Sequence, residues 1–317
     1  MSTAATEPAQ LSCDRTVPRR LVHKAAVEQV LLTDGRRESD GSFTVAAHLP
    51  RSHMLFGDTA SGHHDAGMLG EAFRQAAIYV THRFLEVPGD CHFLMGSTSL
   101  TLDDLDAGQV APHPQMLEMR LEAHGIRRWR DGGLRDYEAR MEGSVEGRRL
   151  LVGSGALATL PPRRYATMRG SGGARSDGVP REARDPDALH AGVGRADPRN
   201  RLLAELVPSD DGYEAALAPD LDHPVFFDHP QDHLPGSLLV EALRQLAVAS
   251  SSAACCWDPE RLLLTRFEIS FERFAELDAP VDGATTVSWS GGSAAVDAVL
   301  RQGGRKVAGA LVELRPA

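Results

Sequence analysis

The chain has 317 residues, a length that suits two domains, each large enough to bury its own core. Its formal net charge of -10 argues against a general nucleic-acid-binding protein, because that function needs clustered lysine and arginine. Four cysteines without a CxxC spacing favour a reducing compartment over a zinc site or a disulfide framework. No apolar run is long enough to span a bilayer, so we expect a soluble, cytoplasmic protein.

Composition divides the chain into four segments. Residues 1–19 are predicted to be a flexible tail, since their beginning shows no periodicity. Residues 163–199 are rich in Gly, Arg, Asp, Ser and Pro and contain no apolar stripe, so we predict a flexible linker there. The remaining segments, 20–162 and 200–317, are the two predicted domains.

The two predicted domains repeat each other. When the second is shifted back by 170 positions, a series of residues coincides without a gap, which indicates an internal duplication. The identical pairs are His53 and His223, Phe56 and Phe226, Asp58 and Asp228, His63 and His233, Leu69 and Leu239, Glu71 and Glu241, Ala72 and Ala242, Arg74 and Arg244, and Gln75 and Gln245.

Each domain shows the same predicted order of elements. Two short strands precede a His-rich loop, a helix of about five turns follows the loop, and further strands separated by glycine-rich turns complete the unit. The predicted helices are 68–85 and 237–256; the predicted strands are 27–32, 43–49, 115–124, 134–145 and 149–160, then 201–207, 213–217, 262–271, 285–290, 294–301 and 306–314. This order predicts an α+β fold in which each antiparallel sheet wraps around one long helix.

Both predicted helices carry a polar face on an otherwise apolar surface. In the second helix Glu241, Arg244 and Gln245 lie at i, i+3 and i+4 and therefore share one side. The first helix has the same spacing at Glu71, Arg74 and Gln75. One interpretation is a structural ion pair that joins the two units. We favour a functional site, because a buried charge is costly and a purely structural role is usually filled by apolar side chains.

The loops that precede the helices supply further candidates. His229 and His233 in the second loop, and His63 in the first, lie beside carboxylates, and such a histidine can serve as a general acid or base. Gly236 begins the second helix, where free backbone N–H groups can hold a thioester carbonyl. No standard ligand spacing is present among the histidines, so we expect neither a metal nor another cofactor.

Two other motifs are weaker. The segment 153–158 matches the glycine pattern of a dinucleotide-binding turn, but Pro161 and Pro162 follow directly, so no helix is expected to hold a pyrophosphate. The basic run 127–130 lies at a predicted hairpin end. It is interpreted as a solvated turn or, alternatively, as a docking patch for an acidic carrier protein.

The second loop and helix, residues 223–245, resemble the signature of hotdog-fold 3-hydroxyacyl-carrier-protein dehydratases. In that match His229 takes the place of the catalytic histidine and Glu241 that of the catalytic glutamate. The spacing between them is two residues shorter, and the Arg-Gln pair after Glu241 departs from the dehydratase pattern, which argues against dehydration.

The whole chain is more similar to the AfsA family, the tandem-hotdog proteins of γ-butyrolactone (A-factor-type) biosynthesis. The resemblance rests on Val22-His23, the segment 27–34, the His53 loop, LGEAFRQAAIYVTH with Val87-Pro88, and HPVFFDHP with EALRQ. It implies a tandem hotdog fold forming an internal pseudo-dimer, with further homo-oligomerisation left open.

The resemblance also implies an activity. A β-ketoacyl group on an acyl carrier protein would be esterified onto dihydroxyacetone phosphate, and the ester would cyclise to a butenolide phosphate, the precursor of a signalling molecule that controls antibiotic production. The expected catalytic residues are Glu241, Arg244, Glu71 and His229, and the expected substrate-binding residues are Arg74, Gln75, Gln245, His63, His233 and Gly236. The alternatives are a hotdog dehydratase or thioesterase, and a non-catalytic acyl-binding regulatory module.

Overall fold

The computed structural model of the protein describes residues 11–170 and 185–317. Within these residues the strands form one antiparallel sheet of 12 strands, and the two halves of the chain contribute equally to it. The first half provides β1 (Leu32–Arg37), β2 (Phe43–Leu49), β3 (His92–Leu102), β4 (Gln115–Arg128), β5 (Leu134–Val145) and β6 (Arg148–Leu160). The second provides β7 (Val207–Pro208), β8 (Gly212–Ala216), β9 (Leu262–Phe271), β10 (Val281–Ser290), β11 (Ser293–Gln302) and β12 (Arg305–Pro316).

The strand order shows the duplication directly. It runs β1-β2-β4-β5-β6-β3 and then β9-β12-β11-β10-β8-β7, so the second half reads as the first half reversed. The halves join where β3 pairs with β9, with Leu100 opposite Phe267. A two-fold axis through this junction relates the halves, as in a dimer of two separate chains. The predicted internal pseudo-dimer is therefore visible in the sheet.

One long helix lies against each half of the sheet, and both were predicted to within two residues. These are α1 (Ala66–Arg83), which contacts β2 and β4, and α3 (Gly236–Cys255), which contacts β10, β11 and β12. Their apolar side chains are buried against the strands, and the core is continuous across the two halves. The helices begin differently: the Asp65 side chain accepts a bond from Gly67 N–H at the start of α1, whereas Pro235 offers no such cap to α3.

The segment after β6 corrects the expectation that no helix follows Pro161 and Pro162. A short helix, α2 (Pro162–Arg169), follows β6 directly, because proline is tolerated in the first turn of a helix, where its missing N–H has no partner anyway. The strand β6 also contains the whole 153–158 glycine motif, so that motif forms no phosphate-binding turn. Gly153 and Gly155 instead leave room for the ring of Phe73 on α1.

Parts of the predicted flexible linker, 163–199, make specific contacts. Arg169 in α2 forms ion pairs with Asp232 and Glu276, and Arg195 is buried. Residues 171–184 lie outside the described residues, as do residues 1–10 of the predicted tail. Its remainder is partly packed, because Leu11 and Val17 are buried. Within residues 11–170 and 185–317, no helix has the length and apolar character that a membrane span requires.

Candidate active site

The polar face of α1 forms a cationic cluster around Glu71. The guanidinium of Arg74 donates to both carboxylate oxygens (Nε–Oε2 2.7 Å, Nη2–Oε1 2.8 Å), and Lys24 Nζ lies 3.0 Å from Oε1. Burial alone would raise the pKa of Glu71, but the charges of Arg74 and Lys24 outweigh burial and lower that pKa well below its usual range. Glu71 is therefore an anion that holds two cations, and the three side chains together carry a charge of about +1.

The matching face of α3 forms a neutral cluster around Glu241. Arg244 and Arg195 each make two bonds of 2.8–2.9 Å to its carboxylate, whose pKa is lowered by these two charges in spite of burial. Arg195 also contacts Asp65 Oδ2 at 2.9 Å. The second carboxylate balances the second arginine. At the equivalent position of the other half stands Pro235, which carries no charge.

The basic partners Lys24 and Arg195 belong to a stretch of the repeat that the sequence analysis missed. It appears when the shift is 171 positions instead of 170, which aligns Val22 with Val193, Lys24 with Arg195 and Gln29 with Asn200. The structure treats these residues alike. Gln75 Nε2 donates to the carbonyl of Gln29 at 2.8 Å, and Gln245 Nε2 donates to that of Asn200 at 2.7 Å. The predicted binding residues Gln75 and Gln245 thus fix the backbone in both halves.

The His-rich loops cross between the halves. Asp228 in the second loop accepts bonds from the backbone N–H of Ala25 and Ala26 (2.9 and 3.5 Å), next to Lys24. Asp58 in the first loop accepts equivalent bonds from Ala196 and Asp197. Each cluster is therefore built from the helix of one half and the loop of the other.

One pair of repeated histidines in these loops, His53 and His223, is a buried part of the framework. His53 Nδ1 accepts from the backbone N–H groups of Leu55 and Phe56, and its Nε2 lies 3.2 Å from the side chain of Gln29. Burial lowers the pKa of His53 to about 4, so the ring is neutral near pH 7. His223 has the same backbone contact and pairs with Asn200 at 3.0 Å.

A cavity of about 1390 Å³ opens beside the Glu71 cluster. Its polar part contains Arg74, Lys24 and the second loop, and its apolar part runs between α1 and the strands β3, β5 and β6. The apolar walls are formed by Phe73, Ala77, Ile78, Phe93, Leu94, Met95, Ala139, Ala156 and Leu157. This combination of a charged mouth and a long apolar interior suits a ligand with a polar head and an acyl chain.

The equivalent space beside the Glu241 cluster is nearly closed. A cavity of only about 40 Å³ remains there, lined by Arg244, His63, Asp65 and Thr59 among others. Glu241 also lines the large cavity, but its side chain is only 4% exposed and its carboxylate is bound by two arginines and Gln245. His63 lies in the small cavity and contacts the Ser61 carbonyl at 3.0 Å. A substrate of drug size does not fit in this volume.

His229 lines the large cavity, and two contacts orient its ring. Its Nδ1 is bound to Asp228 Oδ1, and its Nε2 lies 2.8 Å from the side-chain nitrogen of Gln231. An Asp-bound Nδ1–H leaves Nε2 with the lone pair, which accepts the amide N–H of Gln231. Burial would raise the pKa of Asp228, but the bond from His229 outweighs burial and lowers that pKa, so the residue is an anion. The counterpart of His229 in the first loop is Thr59.

His23 contacts the same cavity. His82 Nδ1 donates to the carbonyl of Val87 at 2.8 Å, so its Nε2 accepts from His23 Nε2 at 2.8 Å. This relay leaves the lone pair of His23 on Nδ1. Burial, with His82 and Arg74 nearby, lowers the pKa of His23 to about 3. His23 is therefore a hydrogen-bond acceptor near pH 7, a role that the repeat could not indicate, because Gly194 takes its place in the second half.

The remaining predicted site residues also lie at the large cavity. His233 Nδ1 contacts Asp232 at 2.6 Å, and its ring meets the ring of Phe274 edge-on. Gly236 is the first residue of α3 and lines the cavity with Ser237. The first N–H groups of a helix have no intrahelical partner, so they are available to a ligand at this uncapped end. The structure thus brings Glu71, Arg74, His229, His233 and Gly236 together and leaves Arg244 and His63 at the small cavity.

Comparison with known proteins identifies the family. A sequence profile of the A-factor biosynthesis hotdog domain, AfsA, matches residues 5–151 and 183–316. The chain belongs to the AfsA family. It is 35% identical over 270 residues to a 2-oxo-3-(phosphooxy)propyl 3-oxoalkanoate synthase of Streptomyces virginiae, a match covering 84% of this chain and 85% of the relative. A protein of the same name from Streptomyces coelicolor is 30% identical over 269 residues, covering 83% of this chain and 80% of the relative.

Solved structures confirm the fold. The 12:0-ACP thioesterase from Umbellularia californica superposes with a TM-score of 0.51 at 13% identity, over 86% of this chain and 94% of that chain. A variant of the PpsC dehydratase domain from Mycobacterium tuberculosis gives a TM-score of 0.52 at 13% identity, over 90% and 98% of the two chains. At such identities the likeness concerns the fold alone. With the family match, it confirms the prediction of two hotdog units in an internal pseudo-dimer.

Proposed function

We propose that this AfsA-family protein is an acyltransferase that joins a 3-oxoacyl thioester to dihydroxyacetone phosphate. The product is the ester for which its relatives are named, 2-oxo-3-(phosphooxy)propyl 3-oxoalkanoate, which then cyclises to a butenolide phosphate. The observation that carries the proposal is the large cavity beside Glu71, which combines Arg74 and Lys24 at its polar part, an oriented histidine and an apolar interior. The acyl donor is proposed to arrive on an acyl carrier protein, and the signalling molecule is proposed to derive from this butenolide.

We place the reaction at the Glu71 cluster and assign a structural role to the Glu241 cluster. The carboxylate of Glu241 is saturated by Arg195, Arg244 and Gln245, and the space beside it is too small for a substrate. An ion pair of this kind contributes specificity of assembly more than catalysis. Of the two interpretations of the polar helix faces, we assign the structural ion pair to the Glu241 cluster and the functional site to the Glu71 cluster.

His229 is the general base of the proposed reaction. The substrate hydroxyl replaces the Gln231 amide as the partner of His229 Nε2. The hydroxyl of dihydroxyacetone phosphate then attacks the thioester carbonyl carbon while His229 Nε2 takes the hydroxyl proton. The tetrahedral intermediate then collapses, the carbon–sulfur bond breaks, and the leaving thiolate recovers the proton from His229. Asp228 keeps the ring in the required tautomer and stabilises the imidazolium that forms. Glu71 is a poor base, because Arg74 and Lys24 lower its pKa and occupy its oxygens.

The phosphate of the acceptor is assigned to Arg74 and Lys24. Arg74 donates to Glu71 through Nε and Nη2, which leaves its Nη1 for a ligand. The Arg74 side chain is 24% exposed and lines the cavity. Arg74 and Lys24 are the cations that can attract a phosphate dianion, and the fixed guanidinium suits a bidentate contact. The neutral Glu241 cluster offers no such attraction.

The thioester oxygen is assigned to the start of α3. The N–H groups of Gly236 and Ser237 lie at the cavity wall and, without a capping side chain at Pro235, can stabilise the oxyanion. At α1 the equivalent Gly67 N–H is taken by Asp65 at 2.7 Å. The acyl chain then occupies the apolar part of the cavity. The four free cysteines support the cytoplasmic location predicted from the sequence.

Mass spectrometry of the purified protein with a 3-oxoacyl thioester, with and without dihydroxyacetone phosphate, tests the proposal. We expect the phosphorylated ester, or the butenolide phosphate derived from it, only when the acceptor is present. Thioester hydrolysis or dehydration that is independent of the acceptor would replace the proposal with the thioesterase or dehydratase alternative. Binding without any conversion would favour the regulatory alternative.

A further inference from the structure

The basic run at the turn between β4 and β5 is part of a larger cationic surface. Exposed arginines from this hairpin and from α2 gather around Trp129. The hairpin contributes Arg127, Arg128, Arg130 and Arg135, and α2 contributes Arg163 and Arg164. We refer to these six residues as the arginine surface. It combines two segments that the sequence separates by about 30 residues.

Trp129 holds the two parts of the arginine surface together. The guanidinium carbon of Arg164 lies 4.1 Å from the centroid of the indole ring, and that of Arg135 lies 5.3 Å from it. Such cation–π contacts stabilise positive charge without neutralising it. The arrangement therefore keeps α2 beside the hairpin and leaves its cations available to an anionic partner.

Most of the charge on the arginine surface is not balanced locally. Asp136 pairs with Arg127 and Arg135, Asp131 on the same turn accepts from the Gly133 N–H, and Arg128 donates to the carbonyl of Gly132. Within residues 11–170 and 185–317, no carboxylate forms an ion pair with Arg128, Arg130, Arg163 or Arg164. In a chain with a net charge of -10, such a concentration of cations is a local exception that favours one anionic partner.

The arginine surface borders the entrance of the large cavity. Tyr165 follows Arg164 in α2, stacks on His92 at 3.7 Å, and donates to Asp232 at 2.9 Å. Tyr165, Met168 and Arg169 all line the cavity. An eight-residue helix is about 12 Å long, so one short element connects the arginine surface to the substrate site.

We infer that the arginine surface docks an acidic carrier protein that delivers the 3-oxoacyl thioester into the cavity. The inference rests on the proposed function and identifies where its acyl donor binds. A carrier protein is too large for the cavity, so it must bind outside while its attached thioester enters. The arginine surface at α2 is such a binding position. A long nucleic acid is disfavoured, because it would meet the negative charge of the rest of the chain.

A charge-reversed variant, Arg128→Glu with Arg130→Glu and Arg163→Glu, tests this inference. These three side chains are exposed and do not line the large cavity, so the substrate site stays intact. The matched control reverses Arg301, Arg305 and Arg315, which are exposed in the second half and make the same change in net charge. Binding of a bacterial fatty-acid acyl carrier protein carrying a 3-oxooctanoyl group is measured by fluorescence anisotropy at low and physiological salt.

We expect the variant to bind the carrier about tenfold or more weakly, the control to match wild type, and wild-type binding to weaken as salt rises. Equal binding by variant and wild type would overturn the inference. Selective loss of binding to a DNA duplex or to anionic phospholipid vesicles, with carrier binding unchanged, would also overturn it.

Kinetics with the same acyl group on N-acetylcysteamine separate this test from the proposed function. The variant should retain wild-type rates on that small thioester, whereas failure of the proposed function would abolish the rates of all three proteins and leave the binding result standing.

Discussion

His229 at the large cavity and Thr59 at the small cavity occupy equivalent positions of the repeat. The substitution His229→Thr therefore gives the large cavity the residue that the small cavity already has. The change removes an imidazole held by Asp228 through Nδ1 and by Gln231 through Nε2. The His229 side chain is 43% exposed, so its loss opens no cavity in the core. Asp228, whose side chain is only 4% exposed, loses its bond to His229 but keeps those from Ala25 and Ala26, so we expect the free energy of unfolding to fall by about 1–3 kcal/mol.

The expected loss of activity follows from the role proposed for His229. A positioned general base typically contributes about 10²–10⁴-fold to the rate, which corresponds to about 3–5 kcal/mol of transition-state stabilisation. We expect kcat to fall by about 10²-fold or more in the His229→Thr variant. The KM for dihydroxyacetone phosphate should change by less than about threefold, because Arg74 and Lys24 remain in place.

Initial rates of thiol release, with mass spectrometry of the ester, measure this effect, and thermal unfolding checks the fold. Glu241→Gln is the comparison variant, because it alters the equivalent cluster at the closed cavity. A folded His229→Thr protein that keeps more than about a third of the wild-type kcat would refute the role of His229 as base, since the expected effect is far larger. A folded but inactive Glu241→Gln protein, with His229→Thr active, would move the reaction to the α3 cluster.

Three further predictions follow from the same contacts. Arg74→Lys keeps the positive charge but loses the planar guanidinium that can bind a phosphate through two N–H groups. The KM for dihydroxyacetone phosphate should therefore rise about tenfold while the KM for the thioester stays constant. Equal changes in both KM values would contradict the phosphate assignment. Arg195→Met leaves the buried carboxylates of Asp65 and Glu241 without their shared cation, so urea unfolding should show a loss of about 3–5 kcal/mol, and a loss below about 1 kcal/mol would argue against a structural role. Burial lowers the pKa of His53 from 6.5 to about 4, so the unfolded chain binds a proton there that the folded protein does not. Stability should therefore fall as the pH drops from 6.5 toward 4, and His53→Gln should flatten that part of a denaturation series, whereas an unchanged slope would contradict the assignment.

Much of the fold was predictable because local pattern and tertiary structure agree. The apolar surfaces of α1 and α3 and the glycine turns between later strands located both helices within two residues and several strands closely. The strand β3 was missed. It lies at the junction of the halves and shows no regular alternation of buried and exposed positions, so its period of two is absent from the sequence.

The errors between the halves have a different cause. The segment around Arg195 is polar and rich in glycine, so its composition resembles that of a disordered linker. Its order comes from contacts that composition does not encode, since Arg195 binds Asp65 of one half and Glu241 of the other. A search for a second offset in the repeat, at 171 positions, would have paired Arg195 with Lys24 and revealed both residues as members of the clusters.

The same duplication explains why sequence identity alone could not choose between the two sites. The repeated residues, Glu71 with Glu241 and Arg74 with Arg244, are those that build both clusters, so their identity says nothing about which one binds substrate. The positions that differ decide it. His229 opposite Thr59 places the proposed base on one side only, and Pro235 opposite Asp65 leaves the Glu71 cluster with one carboxylate fewer than the Glu241 cluster. In a duplicated enzyme the shared residues thus define the framework, whereas the site of the reaction is read from the differences between the copies.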